Sequence, residues 1–164
     1  MSPSAEAPVT VIDSANHAGA GGIGDMADLL AALVASRPDI PCAFTVFHDL
    51  GLVARAYGAG IGTRLQVALG GSLTTLSGAP VKAMVTVAHL PDGKFRNIGP
   101  VYGRLEFGLQ GCVRLDFTDL PIQLPVTGRC HDTTDPDDRC VGGIDLGAIR
   151  LLAMKAKRQP VTSA

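Results

Sequence analysis

The chain has 164 residues, of which 46% are hydrophobic and 18% are charged, so we expect a folded domain with a substantial core and not a disordered chain. The formal net charge is -1 and aromatic residues make up 4% of the chain. Since nucleic acids and anionic membrane surfaces bind clustered Lys and Arg, this composition argues against both as partners.

The two ends of the chain are predicted to differ from its middle. Residues 1–7 are small and polar, and we expect them to be disordered. Residues 8–156 form the predicted domain, and residues 157–164 form a basic tail. The N-terminus has no positively charged start, and no apolar run is long enough to span a bilayer, so the sequence predicts a cytoplasmic protein with no membrane partner.

The first half of the sequence predicts two strand–helix units. Apolar, β-branched residues favour a short buried strand over residues 8–13. Met, Leu and Val at helical spacing predict a helix over residues 26–34, with Asp25 as its N-cap. A second strand over residues 42–47 leads to a short helix over residues 50–57, capped by the preceding Asp.

In the second half the period changes from helical to alternating, which predicts strands. The predicted strands cover residues 65–69, 81–87, 94–98, 113–117, 122–126 and 149–154. Asp92-Gly93 favours a tight hairpin between the second and third of them. Asp135-Pro136 is typical of a helix start. Two N-terminal βα units followed by mainly antiparallel strands predict an α+β fold in a single domain.

A glycine-rich segment follows the first predicted strand. Gly19, Gly21 and Gly24 spell Gly-x-Gly-x-x-Gly between a strand and a helix, a pattern that can bind the pyrophosphate of a dinucleotide. Against a nucleotide, residues 14–18 separate the strand from the first glycine, and the carboxylate of Asp25 would repel a phosphate. The other interpretations are a conformationally demanding loop without a ligand, and a loop that faces a site built largely by another domain.

Metal ligands and nucleophiles form no complete set in the sequence. The nearest approach to a metal cluster is Cys130, His131 and Cys140, which lacks a fourth ligand at the usual spacing. The acidic stretch over residues 132–138 lacks the Gly and Glu of a calcium-binding EF-hand loop, and there is no Gly-x-Ser-x-Gly elbow. Lys155 is either a functional amine or the point at which the last predicted strand enters solvent. The residues alone predict no catalytic group and no metal in this chain.

Residues 13–25 read Asp-Ser-Ala-Asn-His-Ala-Gly-Ala-Gly-Gly-Ile-Gly-Asp. They resemble the Asp-x-Ala-Asp-Asn-Pro-Gly-Gly-Gly-x-x-Gly-Asp signature that opens the C-terminal domain of MlrC-like (microcystinase-type) metallopeptidases. Weaker matches follow in the family's order, at Asp49 with Val53, residues 59–62, Leu69-Gly70-Gly71, residues 92–95, Gly99-Pro100, Asp135-Pro136, residues 143–145 and Lys155. The similarity spans residues 9–156. Asn16, His17, Ala18 and Ala20 depart from the signature.

The resemblance implies a zinc-dependent hydrolase of peptide or related amide bonds. The family's metal ligands belong to a larger N-terminal domain outside these 164 residues, so we expect zinc there, no cofactor in this chain and no activity from the chain alone. The residues that would line a substrate-facing loop are Asp13, Asn16, His17, Gly19, Gly21, Gly24 and Asp25, with Lys155 as a further candidate. The expected partner is the N-terminal metallopeptidase domain, a separate catalytic chain or a second copy. The alternatives are a non-catalytic binding or assembly module derived from this family, and a nucleotide-binding domain.

Overall fold

The computed structural model describes residues 8–14, 25–45, 47–71, 78–96, 106–130 and 142–155. These residues form the helices α1 (Asp28–Ala35) and α2 (Leu50–Ala59). They also form the strands β1 (Val9–Asp13), β2 (Cys42–Thr45), β3 (Phe47–His48), β4 (Arg64–Leu69), β5 (Val81–His89), β6 (Lys94–Arg96), β7 (Glu106–Gly108), β8 (Cys112–Phe117), β9 (Ile122–Thr127) and β10 (Leu151–Lys155).

Eight of these strands form one mixed sheet in the order β1-β10-β2-β9-β8-β5-β4, with β3 also paired to β9. β1, β10, β2, β9 and β3 pair in parallel, whereas β9, β8, β5 and β4 pair antiparallel. The last described strand, β10, lies between the first two, β1 and β2. β6 and β7 form a separate two-stranded sheet.

The predicted α+β class is wrong, because the described part of the chain is mostly one mixed sheet with two helices. β9 and β10 come from the second half of the chain and pair in parallel with β2. The parallel part of the sheet therefore contains more than the two predicted N-terminal βα units. Alternation of apolar residues identifies a strand but not the direction of its neighbours. The apolar run of β10 has the character of a parallel strand buried on both faces.

The hairpin predicted at Asp92-Gly93 is also wrong. β5 pairs with β4 and β8, whereas β6 pairs with β7 over the register Lys94↔Gly108 to Arg96↔Glu106. The helix predicted to start at Asp135-Pro136 lies outside the described residues.

The core lies on both faces of the sheet. The larger cluster joins α1 and α2 to one face, through residues such as Leu30, Val53 and Ala153. The smaller cluster includes Leu152 and Met154. Because side chains alternate along β10, these two residues must lie on the face opposite Ala153. The site described below lies at the end of this strand, on the side of the helices.

Two local predictions about the helices have different outcomes. The Asp49 carboxylate accepts a hydrogen bond from the Leu52 N–H at 2.8 Å, which confirms the predicted cap of α2. Asp25, however, is not the N-cap of α1, because the helix begins three residues later and Ala27 occupies the cap position without a side-chain bond. Asp25 is buried instead, with 1% of its surface exposed.

β1 is an edge strand, and the prediction that it is buried is wrong. Val9, Val11 and Ile12 are 67%, 40% and 36% exposed. The opposite edge, β4, has alternate polar residues, and the Arg55 guanidinium donates to the main-chain oxygen of Gln66 at 3.2 Å. Among the described strands, one edge therefore exposes apolar side chains of β1, and the other exposes Arg64 and Gln66 of β4.

Candidate functional site

The candidate site lies at the carboxyl ends of the parallel strands. β1 ends at Asp13, β10 at Lys155, β2 at Thr45 and β9 at Thr127. Because these strands are parallel neighbours, their ends meet at one edge of the sheet, and open sheets of this kind commonly bind ligands there. We refer to these four residues, together with Asp25, as the carboxyl-edge cluster.

Lys155 is the centre of this cluster. Its Nζ lies 4.2 Å from the centroid of the Phe47 ring and 5.7 Å from that of Phe44, within the range of a cation–π interaction. Only 5% of its surface is exposed. The interpretation of this residue as the point where the strand enters solvent is therefore wrong.

Burial changes the protonation of this amine. Desolvation lowers the pKa of Lys155 to about 8, and the carboxylates of Asp13 and Asp25 oppose that effect most strongly. Cys130 and Asp28 oppose it less. Near pH 8 a substantial fraction of this amine is therefore neutral, whereas an ordinary lysine with a pKa of 10.5 remains almost fully protonated.

Asp13 and Asp25 reach this amine from different elements. Asp13 is the register partner of Lys155 on the neighbouring strand. Asp25 precedes α1, and its main-chain oxygen accepts a hydrogen bond from the Gly71 N–H at 3.1 Å. The sequence segment between these two residues is the glycine-rich one, so the carboxylates at both of its ends lie near one ammonium group.

The Gly70-Gly71 turn is fitted closely to the cluster. A Cβ atom on Gly70 would lie 2.7 Å from the Asp25 main-chain oxygen and 3.2 Å from Cζ of Phe47, and the φ angle of Gly70 is +79°. Any other residue would therefore collide with these neighbours and strain the backbone. The turn supports both the buried aspartate and the ring beneath the ammonium group.

Two threonines complete the edge. The Thr127 hydroxyl lies 2.9 Å from the Arg129 main-chain oxygen and 3.3 Å from that of Phe47, and so fixes β3 beside β9. The Thr127 main-chain oxygen lies 3.3 Å from Nδ1 of His48. The Thr45 hydroxyl is buried and has no hydrogen-bond partner among the residues that the structure describes.

The other candidate residues are placed as follows. Asn16, His17, Gly19, Gly21 and Gly24 lie outside the described residues, as do His131, Cys140 and the acidic stretch over residues 132–138. Of the remaining candidates, Asp13, Asp25 and Lys155 come together. In the part of the chain that the structure describes, no group of three or more His, Cys, Asp or Glu residues could hold a metal ion.

Sequence reasoning missed the aromatic ring and the turn that support this site. The sequence predicts Phe47 only as part of a strand, and it singles out Gly70 only as part of the Leu-Gly-Gly match. The available signal was the Leu-Gly-Gly match, because a glycine pair next to a buried position can mark a close backbone approach.

The other matching motifs have structural roles. The Tyr57 hydroxyl donates to the Pro91 main-chain oxygen, and Asp92 accepts from the Lys94 N–H at 3.0 Å. Asp145 accepts from the Gly147 N–H at 2.9 Å within a tight turn. These contacts shape loops and contribute no group to the carboxyl-edge cluster. Neither helix that the structure describes is long and apolar enough to cross a membrane.

Comparison with known proteins identifies the family and a related fold. A search of curated protein sequences finds no match. The fold is similar to the crystal structure of a "putative metallopeptidase" from Mesorhizobium sp. BNC1, with a TM-score of 0.81 and 24% sequence identity. The similarity covers 92% of this chain but 30% of the Mesorhizobium chain, so this chain spans less than a third of the protein it resembles. The family model described as MlrC C-terminus matches residues 11–163, and the chain therefore belongs to the MlrC C-terminal family.

Proposed function

We propose that this chain forms the substrate-facing part of a metal-dependent hydrolase of peptide or related amide bonds. The observation that supports this proposal most directly is the carboxyl-edge cluster, in which both ends of the glycine-rich segment lie near Lys155. Ligands of open sheets bind at this edge. Substrate would contact the glycine-rich segment, which begins at Asp13 and ends at Asp25.

In this proposal, the metal-binding N-terminal part and this chain have different chemical roles. No group of His, Cys, Asp and Glu among the described residues could hold a metal ion. As the family resemblance implies, zinc would be bound by an N-terminal part of the family fold. A bound zinc ion supplies an activated water for amide hydrolysis. The residues of this chain would bind and orient the substrate, and the chain alone would be inactive.

The apolar edge strand β1 is the surface on which we propose that this N-terminal part docks. An exposed apolar edge is prone to pair or pack with another chain, and β1 exposes Val9, Val11 and Ile12. The Mesorhizobium protein is more than three times as long as the region matched here, which leaves ample protein for such a partner. The N-terminal part can belong to the same polypeptide or to another.

A chimera tests the proposal. This chain replaces the matched region of the Mesorhizobium protein, and zinc content and cleavage of a peptide mixture are measured for the chimera and for the isolated chain. We expect zinc and cleavage in the chimera only. Asp13→Asn should abolish cleavage while zinc is retained, whereas Asp39→Asn, an exposed aspartate between α1 and β2, should change neither.

Other outcomes would identify the alternatives. A folded, zinc-loaded chimera without cleavage, beside an active Mesorhizobium protein, would favour a non-catalytic binding module. Metal-dependent cleavage by the isolated chain would contradict the division of roles. Stabilisation of the isolated chain by a dinucleotide in a thermal-shift assay would favour nucleotide binding.

A further inference from the structure

The two ends of the glycine-rich segment depend on a single charged group. Asp13 is directly opposite Lys155 in the parallel ladder between β1 and β10. Asp25 is 1% exposed, Lys155 is 5% exposed, and the carboxylates of both aspartates act on the same amine. Each carboxylate belongs to a different element, since one ends a strand and the other precedes a helix.

The ammonium group is held in place from its other side as well. Its position above the Phe47 ring, 4.2 Å from the centroid, places it against the ring whose Cζ would lie 3.2 Å from a Cβ atom on Gly70. That turn in turn holds the main chain of Asp25 through the Gly71 N–H. Ammonium, ring, turn and buried aspartate therefore form one continuous set of contacts.

A stabilising role does not explain this arrangement. Desolvation has the largest effect on the pKa of Lys155 and exceeds the opposing attraction of Asp13, Asp25, Cys130 and Asp28. Burying this charge therefore costs folding free energy, and a methionine of similar length would avoid that cost. A buried charge that lowers the stability of the fold indicates that its position relative to neighbouring groups matters more than its contribution to stability.

We propose that Lys155 is a positioning residue, whose buried ammonium clamps together Asp13 and Asp25, the two ends of the glycine-rich segment. Without the ammonium, the two carboxylates that act on it would lose their shared cation. With it, Asp13 and Asp25 are both held by one ammonium group. The inference does not depend on the proposed hydrolase activity, because every measurement below is made on the isolated chain.

The first test measures the pKa of Lys155 by NMR titration of its ¹³Cε signal, assigned by its loss in Lys155→Met. We expect Asp13→Asn and Asp25→Asn each to lower this pKa by about one unit, the size typical of a carboxylate at close range. Asp39→Asn removes the same charge from an exposed position and should leave the pKa unchanged. No change in either Asp13→Asn or Asp25→Asn would overturn the proposal, because the ammonium would then hold one end only.

The second test measures the placement of Asp25 through amide hydrogen exchange at Gly71, whose N–H donates to the Asp25 main-chain oxygen. We expect the Gly71 amide to exchange about tenfold faster in Lys155→Met than in the unmodified chain. In Lys155→Arg, which keeps the charge, exchange should be slower than in Lys155→Met. Lys82→Met, at an exposed position of β5, is the matched control and should exchange as the unmodified chain does. Unchanged exchange in folded Lys155→Met would overturn the proposal. If Lys155→Met does not fold, Asp25→Asn, which removes the carboxylate attracted by the ammonium, provides the same readout.

Discussion

Asp13 and Lys155 end neighbouring parallel strands as direct register partners, although they lie near opposite ends of the chain. The pairing places a carboxylate and a buried ammonium at the edge where the glycine-rich segment leaves the sheet. The sequence separation of the two residues means that the cluster forms only when the first and last described strands have come together.

Burial of Lys155 predicts a specific pH dependence of stability. The pKa in the folded chain is about 8, below the ordinary value of 10.5, so between these values the unfolded chain binds more protons and stability rises with pH. Relative to Lys155→Met, the free energy of unfolding of the unmodified chain should rise by about 3 kcal/mol between pH 8 and pH 10.5. Below about pH 8 and above pH 10.5, the difference in unfolding free energy between the two proteins should not change with pH.

Urea unfolding of both proteins at the two ends of this interval measures the effect, and the comparison cancels the titration of other groups. A difference in unfolding free energy that stays constant with pH would show that the amine has its ordinary pKa.

Gly70 should tolerate no side chain. Gly70→Ala places a Cβ 2.7 Å from the Asp25 main-chain oxygen, at a φ angle of +79°, so we expect a loss of about 2 kcal/mol or more. Gly58→Ala is the matched control, because Gly58 lies in α2 with no atom within 4 Å of the added Cβ. That variant should be stabilised by about 0.5–1 kcal/mol. Urea denaturation of the two variants compares them directly, and equal effects would show that the turn is not closely packed.

The exposed apolar residues of β1 should determine how tightly the N-terminal part binds. Val9→Lys with Ile12→Lys should weaken binding of a separately expressed N-terminal part at least tenfold, because two charges would be buried at the interface. Met84→Lys, at a position of β5 that is 44% exposed, should have no effect. Analytical ultracentrifugation measures binding and also detects dimers of the chain alone. Unchanged binding by the double variant would place the interface elsewhere.

Two cysteines should resist alkylation in the folded chain. Burial raises the pKa of Cys112 to about 12 and also raises that of Cys42, and both thiols are fully buried. Because the thiolate is the reactive form, iodoacetamide should modify neither residue until urea unfolds the protein. Mass spectrometry of digests taken before and after unfolding measures this, and rapid labelling of Cys112 without urea would contradict the burial.

The sequence predicted helices and strands well where interactions between residues close in sequence determine them. The helix α2 follows from its apolar face and from the Asp49 carboxylate, and β4, β5, β8 and β9 follow from alternation. The arrangement of the strands could not be predicted in this way, because insertion of β10 between β1 and β2 is a long-range pairing. Exposure of β1 was missed for the same reason, since burial depends on the neighbours of a strand.

The candidate site was predicted only in part. The family resemblance singled out Asp13, Asp25 and Lys155 separately, but their convergence requires the sheet order. Phe47 and Gly70 act through contacts with residues distant in sequence, and no spacing rule connects them. The desolvation that lowers the pKa of Lys155 is likewise a property of the packed core.

The position of β10 between β1 and β2 also determines when the sheet can be completed during protein synthesis. In the described part of the chain β1 pairs with β10 alone, so it must wait until residues 151–155 have left the ribosome. Until then β1 has no partner among the described strands, and chaperones or other nascent chains can bind its apolar residues. A nascent chain that stops before Leu151 would therefore leave β1 unpaired, with the aspartate at its end lacking its counter-ion.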